Sequence, residues 1–380
     1  MSQCFLTEPA RSTFAAVPSI FPSIHRFPMK YFVGIDPASE TFAASVFTAP
    51  DDDLPGGGPR EFENTPEGFE AFQNWLTGPE GPVSEGLPQE GLPQSETLIC
   101  VEQTGVYSEA LCYALHRAGF ALVLLDPHAV WKAFDDDRKT DALDSQKIAE
   151  YGYRYRDKLR RWEPHEAVVE QVKTLLATRE QLVQQKTAAQ NARQALTRKV
   201  VQTPPAIQAL GNTAENLKKQ IKSIEQAIER LIEKHPTMAQ MTQNLSTAPG
   251  TGDLLAAHML VLTDGFTKEP KYRKLASFLG ICPNEHQSGK RRRKPTSRGY
   301  GPSMVRKLLH LAAMSVKKNY DRFAHYFHRK RKEGKPKMLV LNNIANKLLR
   351  ILCGMVKNKQ PYIENYQSVH PRLRQAGTQS

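Results

Sequence analysis

Two short apolar runs, Tyr31-Phe32-Val33-Gly34-Ile35-Asp36 and residues 41–47, stand on either side of Pro37-Ala38-Ser39-Glu40. Both are rich in β-branched and aromatic residues, and Pro37 with Ser39 marks a turn, so they predict a β-hairpin. Residues 60–64 read as a third strand, and Thr65-Pro66 is cap and first-turn chemistry for a helix through Trp75. A buried-type strand over 97–102, a helix over about 107–118 and a strand over 120–125 follow. Strands alternating with helices after a hairpin restrict this part of the chain to a mixed α/β sheet. Two of its strands end in carboxylates, Asp36 and Glu102, and the helical stretch after Lys139-Thr140 carries Asp141 and Asp144 three residues apart, on one face. Any one of these acids also reads as a turn or surface charge. If all four converge, their repulsion requires a divalent cation, Mg²⁺ or Mn²⁺.

Charge divides the chain. Residues 1–150 hold 9 Lys/Arg against 23 Asp/Glu, whereas the 380-residue whole is +13, so residues 151–380 carry +27. Such asymmetry points to a polyanion, nucleic acid above all, for the second part. Residues 289–337 alone hold 17 Lys/Arg and 2 Asp/Glu, too dense for an ordinary solvated face. Residues 151–162 interleave aromatics with Arg154, Arg156, Arg160 and Arg161. That mixture suits phosphates and stacked bases, or else a linker packed by its own rings. The five cysteines are scattered without a C-x-x-C pair, which argues against zinc and disulfides and suits a reducing cytoplasm. No apolar run approaches the roughly 20 residues of a membrane span.

Residues 1–28, rich in Pro and Ser, read as an extension without periodicity, with Met29 an alternative start. A tandem copy of Glu-Gly-Leu-Pro-Gln at 85–89 and 90–94 marks an expanded surface loop. Val168, Leu175, Leu182, Ala189 and Leu196 recur every seven residues, and Leu217, Ile221, Ile224, Ile228 and Leu231 at alternating four and three. These predict two helices, the first ended by Pro204-Pro205, forming an antiparallel coiled-coil hairpin; a dimer through the seam is the alternative. A helical domain follows Pro236. In it Pro249-Gly250-Thr251-Gly252 resembles a helix-hairpin-helix turn, where Gly250 and Gly252 would let backbone N–H groups approach phosphate. The expected divisions are 1–28, 29–160, 161–236, 237–362 and a tail at 363–380.

From Met29 to about Tyr362 the chain resembles the DEDD-type insertion-sequence transposases, whose N-terminal domain is similar to the RuvC resolvase. The carriers are Val33-Gly34-Ile35-Asp36, Asn64-Thr65-Pro66-x-Gly68, Val101-Glu102-x-Thr104-Gly105-Val106-Tyr107 and Lys139-Thr140-Asp141-x-x-Asp144. In the C-terminal part they are Pro249-Gly250-x-Gly252, Leu279-Gly280-x-x-Pro283, Ser288-Gly289 and Arg298-Gly299 ahead of Arg306. The resemblance implies an RNase H-like fold with Mg²⁺ at Asp36, Glu102, Asp141 and Asp144, and a nucleophilic serine that links covalently to DNA. By position that serine is Ser288. Many relatives have Ser-Ser-Gly here and this chain has Gln287-Ser288-Gly289, with Ser297 as the fallback in the same loop. Lys290, Arg291, Arg292, Arg293, Lys294, Arg298 and Arg306 would grip the scissile phosphate. The resemblance further implies a bridge RNA as guide and a homo-oligomer with a composite site. A metal-dependent nuclease using water, and a non-catalytic nucleic-acid-binding protein, are the competing readings.

Overall fold

Alternation along the first strands sorts their side chains onto two sheet faces. The computed structural model describes residues 29–48, 58–78, 91–134, 140–282, 287–288, 291–292 and 301–364, with backbone alone at 141, 142, 287, 288, 291 and 292. The chain divides into two compact units, Met1–Pro164 and His165–Ser380. In the first, β1 (Tyr31–Pro37), β2 (Thr41–Thr48), β3 (Arg60–Glu63), β4 (Thr97–Glu102) and β5 (Ala121–Leu125) form one sheet in the order β3-β2-β1-β4-β5. The hairpin pairs are antiparallel, whereas β1–β4 and β4–β5 are parallel, so the sheet is mixed.

Tyr31, Val33, Ile35, Ile99 and Val101 face one core, with Phe69, Phe72 and Trp75 of α1 (Pro66–Thr77) and Leu111 and Leu115 of α2 (Val106–Arg117). Phe32, Leu98, Cys100, Val123 and Leu125 face the other, with Val130 of α3 (Pro127–Ala133) and Ile148 of α4 (Asp141–Arg154). α1 starts as its sequence predicts, Thr65 Oγ1 accepting from the Gly68 N–H at 3.2 Å with Pro66 in the first turn. The edge of β5 is covered where the Trp162 N–H donates to the Leu122 carbonyl at 2.7 Å, which protects unpaired strand groups.

The direction of α4 matters most. A Cβ at Gly34 would collide with the Ser145 carbonyl oxygen and the Ala149 nitrogen, and Gly152 sits against Cys100 and Phe32. Tyr153 follows, its ring 5.5 Å from Phe32 and 5.3 Å from Phe47. Contacts therefore move back along β1 as α4 advances, so the two run antiparallel. A hydrogen bond of 2.7 Å between the Ser45 and Ser145 hydroxyls pins the crossing.

In the second unit, α5 (Ala167–Thr197) and α6 (Pro204–Glu233) form an antiparallel hairpin: Arg179 meets Glu225 at 2.7 Å, while Gly211 lies beside Arg193. Ile228 is buried and Ile224 and Leu231 partly so, against Val168, Val172 and Leu175 of α5, and Ile221 is buried as well. One detail differs from the sequence reading: Pro204 and Pro205 start the second helix instead of ending the first, because proline costs nothing where the N–H has no helical acceptor.

The remaining helices are α7 (Pro236–Ser246), α8 (Asp253–Leu262), α9 (Tyr272–Phe278), α10 (Ser303–Asn319), α11 (Asp321–Lys332) and α12 (Lys337–Asn358). Although α12 is long and apolar enough to cross a membrane, Val340, Ile344, Leu348 and Leu352 on it are fully or almost fully buried in this unit. It is a core helix here. Burial pushes the thiols of Cys100, Cys112 and Cys353 up to about 12, so these cysteines are packing groups.

Candidate active site

Ile35 pairs with Val101 in parallel register, so Asp36 and Glu102, each one residue further, end adjacent strands side by side. Alternation puts both on the face shared by Phe32, Gly34 and Cys100, the face that α4 covers. Since α4 runs antiparallel to β1 with Ser145 over Gly34, its first turn, which carries Asp141 and Asp144, overhangs the same strand ends. Thr140 holds that turn by accepting from the Leu143 N–H at 3.2 Å. Three of the acids, Asp36, Glu102 and Asp144, are half-buried. The fourth, Asp141, is described by its backbone only.

Two further groups build the site. Asn64 donates through Nδ2 to the Ala38 carbonyl at 2.7 Å and to the Tyr107 carbonyl at 3.0 Å. One carboxamide thereby ties the turn after Asp36 to the segment after Glu102. The Gln103 N–H donates to the Leu125 carbonyl at 3.0 Å, which extends the β4–β5 ladder past Glu102 and stiffens it. Beside it, Thr104 Oγ1 is buried with no hydrogen-bond partner.

Oxygen donors only, most of them anionic, suit a hard divalent cation. The unpartnered Thr104 hydroxyl at the same strand end fits that donor set. Lys147 Nζ, 3.6 Å from Asp144 Oδ1, supplies some positive charge there in the chain alone. Among the described residues no three His, Cys, Asp or Glu side chains enclose a metal position.

Two family models match in succession. A DEDD-type IS110 transposase model covers residues 33–201, and one for the transposase IS116/IS110/IS902 family covers residues 242–328. The chain belongs to the IS110 family of DEDD transposases. The pilin gene-inverting proteins of Moraxella lacunata and Moraxella bovis are each 27% identical to it over 342 residues, spanning 88% of this chain and 98% of theirs. The insertion element IS110 uncharacterized 43.6 kDa protein of Streptomyces coelicolor is 24% identical over 152 residues, 40% of this chain and 36% of that one. This IS110-family chain is accordingly a DNA transposase or recombinase, and DNA is its substrate.

The other expected residues of the transposase fall in several places. Ser288 lies in β6 (Gln287–Ser288), paired antiparallel with β7 (Arg291–Arg292), so Ser288 stands opposite Arg291 and Gln287 opposite Arg292. Lys290, Arg293, Lys294, Ser297 and Arg298 lie outside the described residues, as do residues 1–28, part of the repeat loop and the tail beyond 364. Arg306 donates to the Leu279 carbonyl at 3.4 Å, at the C-terminal end of α9. Gly250 has φ +72°, and a Cβ there would press on Val316 and Ala312 of α10, so its backbone is needed for packing. Gly252, at the N-cap of α8, has open space around it.

In the stretch 151–162 the rings are half-buried and every cation but Arg160 is exposed. Arg154 pairs with Glu150 and lies 4.9 Å over Phe134. Arg156 lies 4.5 Å over Tyr153 and Lys158 5.3 Å over Tyr155. Arg160 and Arg161 flank the segment that covers β5, half-buried and exposed respectively.

Proposed function

We propose that this transposase breaks and rejoins DNA strands through Ser288, aided by Mg²⁺ or Mn²⁺ at Asp36, Glu102, Asp141 and Asp144 within an RNase H-like domain. The observation that carries the reading is the parallel register of Asp36 beside Glu102 beneath the first turn of α4. A divalent cation held there supplies charge neutralisation and orientation at a phosphodiester. Ser288 Oγ attacks phosphorus, and a serine–phosphate bond forms as the bond to the leaving sugar oxygen breaks. The serine proton passes to a base and the leaving oxygen ends as a hydroxyl. Attack by another strand's hydroxyl reverses the exchange and joins that strand, freeing the serine.

Arg291, cross-strand neighbour of Ser288, together with Lys290, Arg292, Arg293, Lys294, Arg298 and Arg306, grips phosphate oxygens. Arg154, Arg156, Arg160, Arg161 and the Gly250–Gly252 turn add contacts to nucleic acid. A bridge RNA guides the reaction and a homo-oligomer performs it. The Moraxella relatives are named for inverting a gene, a strand exchange without net loss of DNA, and that supports recombination over simple cleavage.

The test is a reaction with the element's ends and flanking RNA, trapped and digested for mass spectrometry. A nucleotide on the Ser288 peptide is expected, and Ser288→Ala should bind DNA yet exchange no strands. An adduct on Ser297 would move the nucleophile, and free ends without any adduct would mean a nuclease that uses water.

A further inference from the structure

The C-terminal unit holds a cationic cluster apart from the Ser288 ladder. On α11, Arg322, Tyr326, Arg329 and Lys330 recur at spacings of four, three and one, so they share a helix face. Phe323 and Phe327 on its other side are buried and fix the helix in place. From α12, Lys347 reaches back to this face, its Nζ 3.5 Å from the centroid of the Tyr326 ring. The Arg329 guanidinium carbon is 5.8 Å from the same centroid. Two cations from two helices therefore share one ring.

Positive charge outweighs negative charge on this side. The acid on this side, Glu333, is engaged by Lys330 at 2.6 Å. Among the described residues, no ion pair engages Arg322, Arg329 or Lys347. Partial burial of the ammonium, then the charges of Arg322, Arg329 and Lys330, hold Lys347 below the ordinary lysine range. Like charges gathered on an aromatic platform repel one another until an anion arrives. In a protein whose substrate is DNA, that anion is a backbone phosphate.

We propose that Arg329 and Lys347, which share the Tyr326 ring, and Arg322, one turn earlier on the same face of α11, form a phosphodiester-binding site that grips the DNA backbone. The site is independent of Ser288 and of the acids. Contacts to backbone phosphate position DNA and carry no sequence information.

Full-length protein is titrated with a labelled DNA duplex of mixed sequence over a range of salt concentrations. Each lost phosphate contact lowers the salt slope by about 0.9, so the triple variant Arg322→Gln, Arg329→Gln, Lys347→Gln should lose about 2.7. A charge-matched control, Lys186→Gln, Lys218→Gln, Lys222→Gln on α5 and α6, should retain the wild-type slope, and Lys347→Arg should restore the third contact. The double variant Arg322→Gln, Arg329→Gln alters exposed positions only and carries the test if the triple variant folds poorly. Equal losses in the triple variant and the control would overturn the proposal. So would a slope that changes with an RNA hairpin and not with the DNA duplex.

Discussion

A single carboxamide ties together the segments that follow two carboxylate-bearing strand ends. Asn64 has two donors on one nitrogen, and each finds a carbonyl on a different carboxylate-bearing segment, Ala38 after Asp36 and Tyr107 after Glu102. Asn64→Ala removes both bonds, worth about 0.5–1.5 kcal/mol each. Its neighbour Thr65 provides a matched comparison: Thr65→Ala removes the α1 cap, worth about 1 kcal/mol, and leaves the Asn64 bridge intact. Thermal melts of the two variants should shift by similar amounts. Strand exchange should fall at least tenfold in Asn64→Ala and stay near wild type in Thr65→Ala. If activity follows melting temperature alike in both, Asn64 is structural only. Gly34 acts at the same scale, because only a residue without Cβ lets Ser145 and Ala149 of α4 approach β1 this closely.

Among the elements, the α5–α6 hairpin pairs two long helices, both of which the sequence predicts. Ile221 and Ile228 are buried within the chain, so Asp at both positions places charge where no partner awaits it and should destabilise the unit by several kcal/mol. The measurement is a chemical melt with light scattering alongside. An unchanged melt with a reduced assembly mass would mean that the seam works between chains. Helix α8 adds a pH dependence. Burial, then the nearby Arg179 charge, lower His258 from 6.5 to about 4, so the folded unit keeps it neutral where the unfolded chain protonates. Its contribution is fully present above pH 6.5 and is lost as pH falls towards 4, about 3 kcal/mol in all. Asp264 does not confuse that window. Burial alone would raise it, but hydrogen bonds from His165 and Lys268 prevail and lower it to about 2, so its own contribution fades only from pH 3.8 downward. Denaturant midpoints of His258→Gln should therefore be flatter between pH 6.5 and 4 than those of wild type. A slope equal to wild type would place the acid sensitivity elsewhere.

At the scale of the whole molecule, charge is divided between an acidic first part and a basic second part, which matches the proposed division between holding cations and holding DNA. The sheet and its acids were readable because strand alternation and helix spacing are local signals: Asp36 and Glu102 end apolar runs, and Asp141 and Asp144 stand three apart. Other features depended on long-range contact and left no such trace. Nothing near Asn64 announces acceptors at 38 and 107, and the Ser288–Arg291 pairing rests on strands of two residues, too short for any period. Helix α11 was not singled out within the basic run 289–337, because its buried Phe323 and Phe327 are scattered among charges. Pro204-Pro205 was ambiguous in principle, since the same pair can follow one helix or begin the next. The proposed reaction stands on a divalent cation held by the ends of β1 and β4 with the first turn of α4. Calorimetric titration of Mn²⁺ into wild type and into Asp36→Asn, Glu102→Gln, with and without DNA, tests it most directly. The account predicts a binding isotherm in wild type that the double variant lacks while melting as a folded protein. Identical isotherms in the two proteins would contradict it.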